Sequence, residues 1–405
     1  MNRLRLGNGL RVVLDEHAGA AATGVTVVYG AGAQADPPGR EGLAHLVEHL
    51  MFQGSAGFEP FAHFAYVQGL GGEVNAMTRL DHTEFFQEIP ATGLERLLVM
   101  EADRMAGFTA GEESFLREVE VVKQEVRGAG TRPMATFPWT WLTPLLRGGD
   151  AGSGDPGGQL AGLDRLTLAR ARAFFDAFYA PGDAVLVISG GFGGLDVPGL
   201  LERLFGTIPA RPSSPRPVRK AGDGGHHLFR SPDGARACAI AWPLVAEPPM
   251  VCEVLVKVLG TAIRERLRAA GLDGVQARAS FGVHEFGRHC ASPSAVAVGV
   301  HLDAATPASE VLDLVERELR DLAGDGPGEA ALRSCVRRER LTHAAALDSF
   351  LRRSRELALS ELYGCAPVTD ADLRSVTAGQ VAAAARDLLR AGPISLELAP
   401  AGGRS

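Results

Sequence analysis

The chain has no apolar run approaching the length of a membrane span. Its start, Met1-Asn2-Arg3-Leu4-Arg5-Leu6-Gly7, carries basic residues without the apolar core of a secretory signal. A membrane partner is therefore not expected, and a bacterial chain of this kind is expected in the cytoplasm. Basic excess is missing too: 41 Lys+Arg stand against 48 Asp+Glu, for a formal net charge of −7, and the excess acid lies before residue 210. Nothing there attracts nucleic acid. Cysteine is scarce. The five, Cys238, Cys252, Cys290, Cys335 and Cys365, all fall in the second half, in an odd number and without the close spacing of a metal knuckle or redox pair. They argue against a disulfide framework and read as small buried hydrophobes in a reducing compartment. Any metal site in the first half must then rely on nitrogen and oxygen donors. Tyrosine is rare as well, with none between Tyr179 and Tyr363.

What is present is His45-Leu46-Val47-Glu48-His49. At about 100° per residue, His45 and His49 are i and i+4 neighbours on one side of a helix, with Glu48 between them in angle. Two imidazoles and a carboxylate so placed can clamp a metal and set a base beside it; the order His-x-x-Glu-His is the inverted form of a zinc peptidase motif. The alternative is a solvated polar helix face. Leu43, Leu46, Val47 and Leu50 fall on the opposite side, so an ordinary apolar stripe already accounts for packing and leaves the histidines free for another task. Phe52 is read on the polar side with them. Pro37, Pro38 and Gly39 before this helix and Gly54 after Gln53 supply its start and stop signals.

Catalytic zinc takes three protein ligands and keeps one position open. The run Leu116-Arg117-Glu118-Val119-Glu120-Val121-Val122-Lys123-Gln124-Glu125-Val126 is rich in helix formers and offers candidates. Glu118 and Glu125, seven apart, project from nearly one face, with Val121 and Val122 read as flanking them. Carboxylates among valines are costly to bury unless a cation pairs with them. A solvated acidic face that includes Glu120 fits the periodicity equally.

The wider pattern predicts an α+β chain of two similar modules, each a mostly antiparallel sheet flanked by helices. The expected spans are residues 1–208 and 226–405, joined over 209–225 by a linker that holds Pro209-Ala210-Arg211-Pro212-Ser213-Ser214-Pro215-Arg216-Pro217, too proline-rich for a helix or central strand. Strands are expected near 10–15, 23–29, 72–78 and 83–89, with helices near 40–53, 92–106, 113–128 and 167–178. In the second half the order recurs, with strands near 226–230, 236–242, 276–282 and 294–302 and a helix near 251–269. Gly190-Gly191-Phe192-Gly193-Gly194 follows a strand, as a phosphate loop would, but no Lys-Ser/Thr comes after it, so a chain-reversal turn is expected. The nine other histidines read as structural or exposed, His82 being the one expected nearest the site.

The stretches Asn8-Gly9-Leu10-Arg11-Val12-Val13, Gly30-Ala31-Gly32 and Gly42 to Ser55, which contains the histidine motif, resemble the pitrilysin/insulinase family of zinc peptidases, which includes the mitochondrial processing peptidase. Gly71-Gly72-Glu73-Val74-Asn75-Ala76-Met77-Thr78 and Asp81-His82-Thr83-Glu84-Phe85 resemble the family's substrate-binding strand and the strand after it. Phe178 to Ile188 resembles the close of its first domain. The resemblance is strong to about residue 210 and architectural beyond. It implies that His45, His49 and Glu125 hold Zn2+, Glu125 lying 76 positions after His49. It also implies that Glu118 is a second acid orienting a ligand, that Glu48 is the general base, and that Asn75 and Ala76 bind substrate by adding a peptide strand to the sheet edge.

One departure matters. Single-chain relatives carry an Arg and, seven residues on, a Tyr that help stabilise the tetrahedral intermediate. Here the matching region, Leu267-Arg268-Ala269-Ala270-Gly271-Leu272-Asp273-Gly274-Val275, has Arg268 and no tyrosine. The favoured expectation is a zinc endopeptidase acting on peptides or unfolded segments inside a closed chamber, in a heterodimer whose related partner supplies the Arg/Tyr pair, or otherwise in a homodimer. The alternatives are a catalytically idle scaffold subunit, against which the intact His45, Glu48, His49 and Glu125 weigh, and a non-proteolytic zinc hydrolase, against which the Asn75 strand weighs.

Overall fold

The computed structural model describes residues 1–130, 137–147, 156–212, 224–231, 234–244, 250–272, 274–285, 287, 289 and 294–401. In chain order its strands are β1 Asn2–Arg5, β2 Arg11–Glu16, β3 Ala22–Tyr29, β4 Glu73–Thr78, β5 Thr83–Pro90, β6 Ala184–Gly190, β7 Gly225–Ser231, β8 Ala237–Leu244, β9 Gln276–Phe281, β10 Ser294–His301 and β11 Ile394–Pro400. Its helices are α1 Leu43–Leu50, α2 Ala62–Gly69, α3 Leu94–Ala106, α4 Glu112–Gly130, α5 Trp139–Arg147, α6 Leu160–Leu163 and α7 Leu168–Phe178. They continue with α8 Val197–Phe205, α9 Val251–Ala269, α10 Ala308–Asp325, α11 Glu329–Leu347, α12 Phe350–Tyr363, α13 Asp370–Arg374 and α14 Ala378–Ala391. No helix among the described residues is long and apolar enough to cross a membrane.

The strands form two sheets, one of six in the order β1-β2-β6-β3-β5-β4 and one of five in the order β7-β11-β8-β10-β9. With β1 set aside, each sheet numbered from its own first strand reads 1-5-2-4-3. Each has a parallel pair at the same place, β2 with β6 and β7 with β11, among otherwise antiparallel neighbours. The two sheet-plus-helix modules implied by the repeat in the sequence are therefore the architecture. In the second module α9 occupies the place between strands that α1 and α2 occupy in the first.

The units that pack together are not consecutive spans. One holds Met1–Thr131, Asp155–Pro217 and Ala345–Pro367; the other holds Arg132–Gly154, Val218–Ala344 and Val368–Ser405. The reason is that each sheet has two faces to bury. In the first unit Val12, Leu14, Val25, Val27, Leu186 and Ile188 point into the main core with α1, α3 and α7. Their alternating neighbours Val13, Val28, Val185 and Val187 point the other way and are covered by Leu357, Ala358 and Leu362 of α12. This is why residues 184–188 of β6 read as an unbroken apolar run, and each such side chain removed from water contributes about 1.5–3 kcal/mol. α12 thus belongs with the first sheet although it lies within 226–405. Likewise α5 packs in the second unit, where a Cβ at Gly299 of β10 would meet Pro138 at 3.0 Å. Of the proline-rich stretch, 213–223 lies outside the described residues, and Arg211 is no free linker residue: it donates to the carbonyl oxygen of Tyr179 at 3.0 Å and pairs with Asp176 at 3.1 Å.

Charge fastens α12 as well. Arg353 pairs with Asp15 of β2, Arg355 makes a two-pronged pair with Glu84 of β5 at 2.7 and 2.9 Å, and Glu88 accepts from the Leu351 backbone at 2.8 Å. Burial alone would raise the Asp15 carboxyl, but hydrogen bonds from Arg353 and Ser189, with the guanidinium charge, bring it down to about 2. A carboxyl held below its unfolded value stabilises the fold above that value and loses the contribution as pH falls through the folded one. Between about pH 4 and about pH 2 the protein is expected to lose about 2 kcal/mol of stability, more than an Arg353→Met variant loses. Urea midpoints at the two pH values measure it, and equal acid sensitivity of the two proteins overturns it.

Candidate metal centre

α1 forms where it does because Leu43, Leu46, Val47 and Leu50 are all almost fully buried on one side. Its start is set from a distance. Gly42 takes φ 105, a left-handed conformation that suits glycine, and the Asp36 carboxylate accepts the Gly42 and Ala44 backbone N–H groups at 2.7 and 2.8 Å. Burial pushes the Asp36 carboxyl up to about 7, against the pull of those helix N–H donors. The helix ends at Leu50, short of residue 53, so Phe52 lies beyond it. Phe52 is buried against Phe64, Phe85 and Arg104 rather than shared with the histidine side.

His45 and His49 stand edge to face, ring centroids 4.9 Å apart and both half-buried. His45 Nδ1 lies 3.3 Å from the Gly157 carbonyl oxygen and His49 Nδ1 lies 3.1 Å from Glu118 Oε2. Both partners are acceptors, so each Nδ1 can donate to its partner, which leaves each Nε2 as the ring atom available to a metal. The two Nε2 atoms face Glu125 Oε2 of α4 at 3.5 and 3.8 Å, and the three ligand atoms lie within 4.8 Å of one another. Among the described residues this is the one His/Cys/Asp/Glu group that can hold an ion. Burial alone would lower His49, but the Glu118 hydrogen bond and the charges of Glu48 and Glu125 outweigh it and raise the imidazole. The site attracts a cation, and its donor chemistry, two imidazole nitrogens and a carboxylate with the second nitrogens already held, fits zinc.

Around this group, Glu118 is buried and also accepts from Gln53 Nε2 at 2.8 Å, while Arg117 donates to Gln53 Oε1 at 3.2 Å. Glu120 points elsewhere, pairing with Lys123 at 2.7 Å. Val122 is fully buried beside the acids, whereas Val121 is largely exposed, since α4 turns it away from the core. Glu48 is buried and outside the ligand group; its Oε2 accepts from Thr78 Oγ1 at 2.5 Å. Asn75 and Ala76 lie on β4, the edge strand of the first sheet, and Asn75 Oδ1 accepts the Ala76 N–H at 2.8 Å. His82 is not one of the ligand group and is hydrogen-bonded to Tyr363 at 2.8 Å. His63 is buried beside Glu101, its imidazole pushed down to about 2 by burial and by Arg104. Arg268 is exposed in the last turn of α9, in the second unit. The Gly190–Gly194 run is a packed turn, where a Cβ at Gly191 would meet the Ala20 carbonyl oxygen at 2.0 Å.

Sequence reasoning missed Asp36, Gln53, Thr78 and Gly157. Gln53 had a signal, standing four residues after His49, and Thr78 closes the strand motif already singled out. Asp36, which caps the helix that carries the site, and Gly157, which meets His45, act across loops and had none.

Residues 11–137 match the profile described as insulinase (peptidase family M16), and residues 165–338 match the peptidase M16 inactive domain. A zinc protease PqqE of Helicobacter pylori is 27% identical over 201 residues, 46% of this chain and 42% of that protein. A coenzyme PQQ synthesis protein F of Pseudomonas putida is 32% identical over 198 residues, 47% of this chain and 25% of that protein. The match thus spans under half the length of these curated relatives. Among solved structures, a protease from Helicobacter pylori superimposes with TM-score 0.84 at 18% identity, over 98% of this chain and 99% of the other. A peptidase M16 inactive domain from Pseudomonas fluorescens does so with TM-score 0.79 at 17% identity, over 100% and 98%. At such identities the likeness is one of fold.

Proposed function

The chain belongs to peptidase family M16, the insulinase family, and we propose that it is an active zinc-dependent endopeptidase acting on peptides or unfolded protein segments. The observation that carries this reading is the convergence of His45, His49 and Glu125 with Glu48 buried beside them and outside the ligand set. Zinc bound there supplies Lewis acidity and makes a water easier to deprotonate. Glu48 takes the proton of the attacking water and passes it to the leaving amine. Glu118 holds the His49 ring, and the Gly157 carbonyl holds that of His45. β4 receives the peptide as an added strand, a mode whose affinity comes from backbone hydrogen bonds and tolerates varied sequence. A peptide that uses the Ala76 N–H displaces the Asn75 side chain that occupies it. The intact ligand set weighs against an idle scaffold, although one structural relative is an M16 inactive domain.

A chamber closed by a second chain completes the proposal, with a related partner bringing an Arg and a Tyr, or a second copy of this chain in its place. The free, buried thiols of Cys238, Cys252 and Cys335 suit a reducing compartment such as the cytoplasm; Cys290 lies outside the described residues. The purified chain is expected to carry about one zinc and to cleave a quenched peptide in a chelator-sensitive way. Metal analysis, peptide fluorescence and mass in solution test this together. Hydrolysis that survives chelation overturns the zinc reading. A homodimer whose rate no related chain increases overturns the heterodimer.

A further inference from the structure

We propose that Thr78 is a positioning residue for the reaction, its hydroxyl setting the direction of the Glu48 carboxylate and tying the base to the strand that receives the peptide. The inference rests on the peptidase reading above and adds a residue to it. Thr78 Oγ1 donates to Glu48 Oε2 at 2.5 Å, a short bond of the charge-assisted kind. Glu48 is 8% exposed, and among the described residues Thr78 is its one hydrogen-bond partner. A carboxylate so buried turns towards the donor it has, because an unmet oxygen is costly. Oε2 is thereby engaged, and Oε1 is left to face the reacting water.

The bond is built into the fold at both ends by one short segment. Asp36 caps α1 and so places Glu48. Three residues earlier, the Ala33 and Gln34 N–H groups donate to the carbonyl oxygens of Arg79 and Leu80 at 2.9 Å each, which places the turn directly after Thr78. Gly32 passes so close to that turn that a Cβ there would meet the Arg79 oxygen at 2.2 Å. Thr78 pairs in register with Thr83, whose hydroxyl donates to the Ala31 carbonyl oxygen at 2.8 Å. Residues 31–36 therefore fix the helix that carries the base and the strand end that carries its donor. A peptide added to β4 lies on the strand whose last residue aims the base, so seating and base alignment are mechanically joined.

The test compares Thr78→Val, which keeps the shape and removes the hydroxyl, with Thr78→Ser, which keeps the hydroxyl and removes the methyl. Thr78→Val is expected to keep its zinc and its KM and to lose about 10–100-fold in kcat, and Thr78→Ser to recover most of that loss. The reverse ranking, with valine active and serine impaired, assigns the residue to packing and overturns the inference. A second readout needs no activity: in the zinc-free protein, Thr78→Val should lower the thermal midpoint when Glu48 is present and leave it unchanged in a Glu48→Ala background. Equal shifts in both backgrounds overturn the inference. If Glu48→Gln proves fully active, the peptidase mechanism fails, and the thermal cycle still decides whether Thr78 holds Glu48.

Discussion

Glu48→Gln is expected to bind as much zinc as the unaltered chain and to lose about 10²–10⁴-fold in turnover. Glu48 is outside the group of atoms that converge on the ion, so its loss of charge leaves His45, His49 and Glu125 in place. Glutamine has nearly the shape of glutamate, and its amide oxygen can still accept from Thr78, so the side chain keeps its position and loses only its ability to take a proton. The substitution therefore separates chemistry from architecture. Zinc content by mass spectrometry, measured beside kcat on a quenched peptide, reads both. Unchanged turnover would remove the general base from the mechanism, while lost zinc would show that Glu48 shapes the ligand set.

The part of the site that was legible in the sequence is the part that rides on one helix. Four buried residues at 43, 46, 47 and 50 define the inner side of α1, and what remains on the outer side is the chelating pair with Glu48 between. The seven-residue spacing of Glu118 and Glu125 placed both on one face of α4 but could not say which meets an imidazole at Nδ1 and which at Nε2, since that depends on the offset between two helices. The caps were hidden for a similar reason: Asp36 acts across six residues and a turn, where capping patterns look at immediate neighbours. The same limit explains the interleaved units. The pattern in Phe350–Tyr363 shows that a helix has a buried side, and nothing in it says which sheet receives that side; the unbroken apolar run of β6 was the local sign that a second cover had to exist. Strands fared better because alternation is read residue by residue, and Ala22–Tyr29 and Thr83–Pro90 fall within a residue of their expected spans.

The ligand role of Glu125 predicts the second large effect. Glu125→Ala is expected to release zinc at concentrations of competing chelator that leave the unaltered chain loaded, and with it to lose hydrolysis, because two imidazoles alone fall short of the three protein ligands that catalytic zinc takes. Glu118→Ala should behave differently. Its carboxylate meets His49 at Nδ1, on the side away from Glu125, and is itself held by Gln53, so its removal loosens a ring rather than deleting a ligand. A loss of about 10–100-fold in metal affinity or activity is the usual size of such a change. Zinc titrations against a chromophoric chelator rank the two variants. If Glu118→Ala releases the metal more readily than Glu125→Ala, the acids exchange roles, and zinc would have to sit towards Nδ1 of His49. Glu120 offers no third possibility in this geometry, since its carboxylate is turned to Lys123, and a Glu120→Ala variant should titrate as the unaltered chain does.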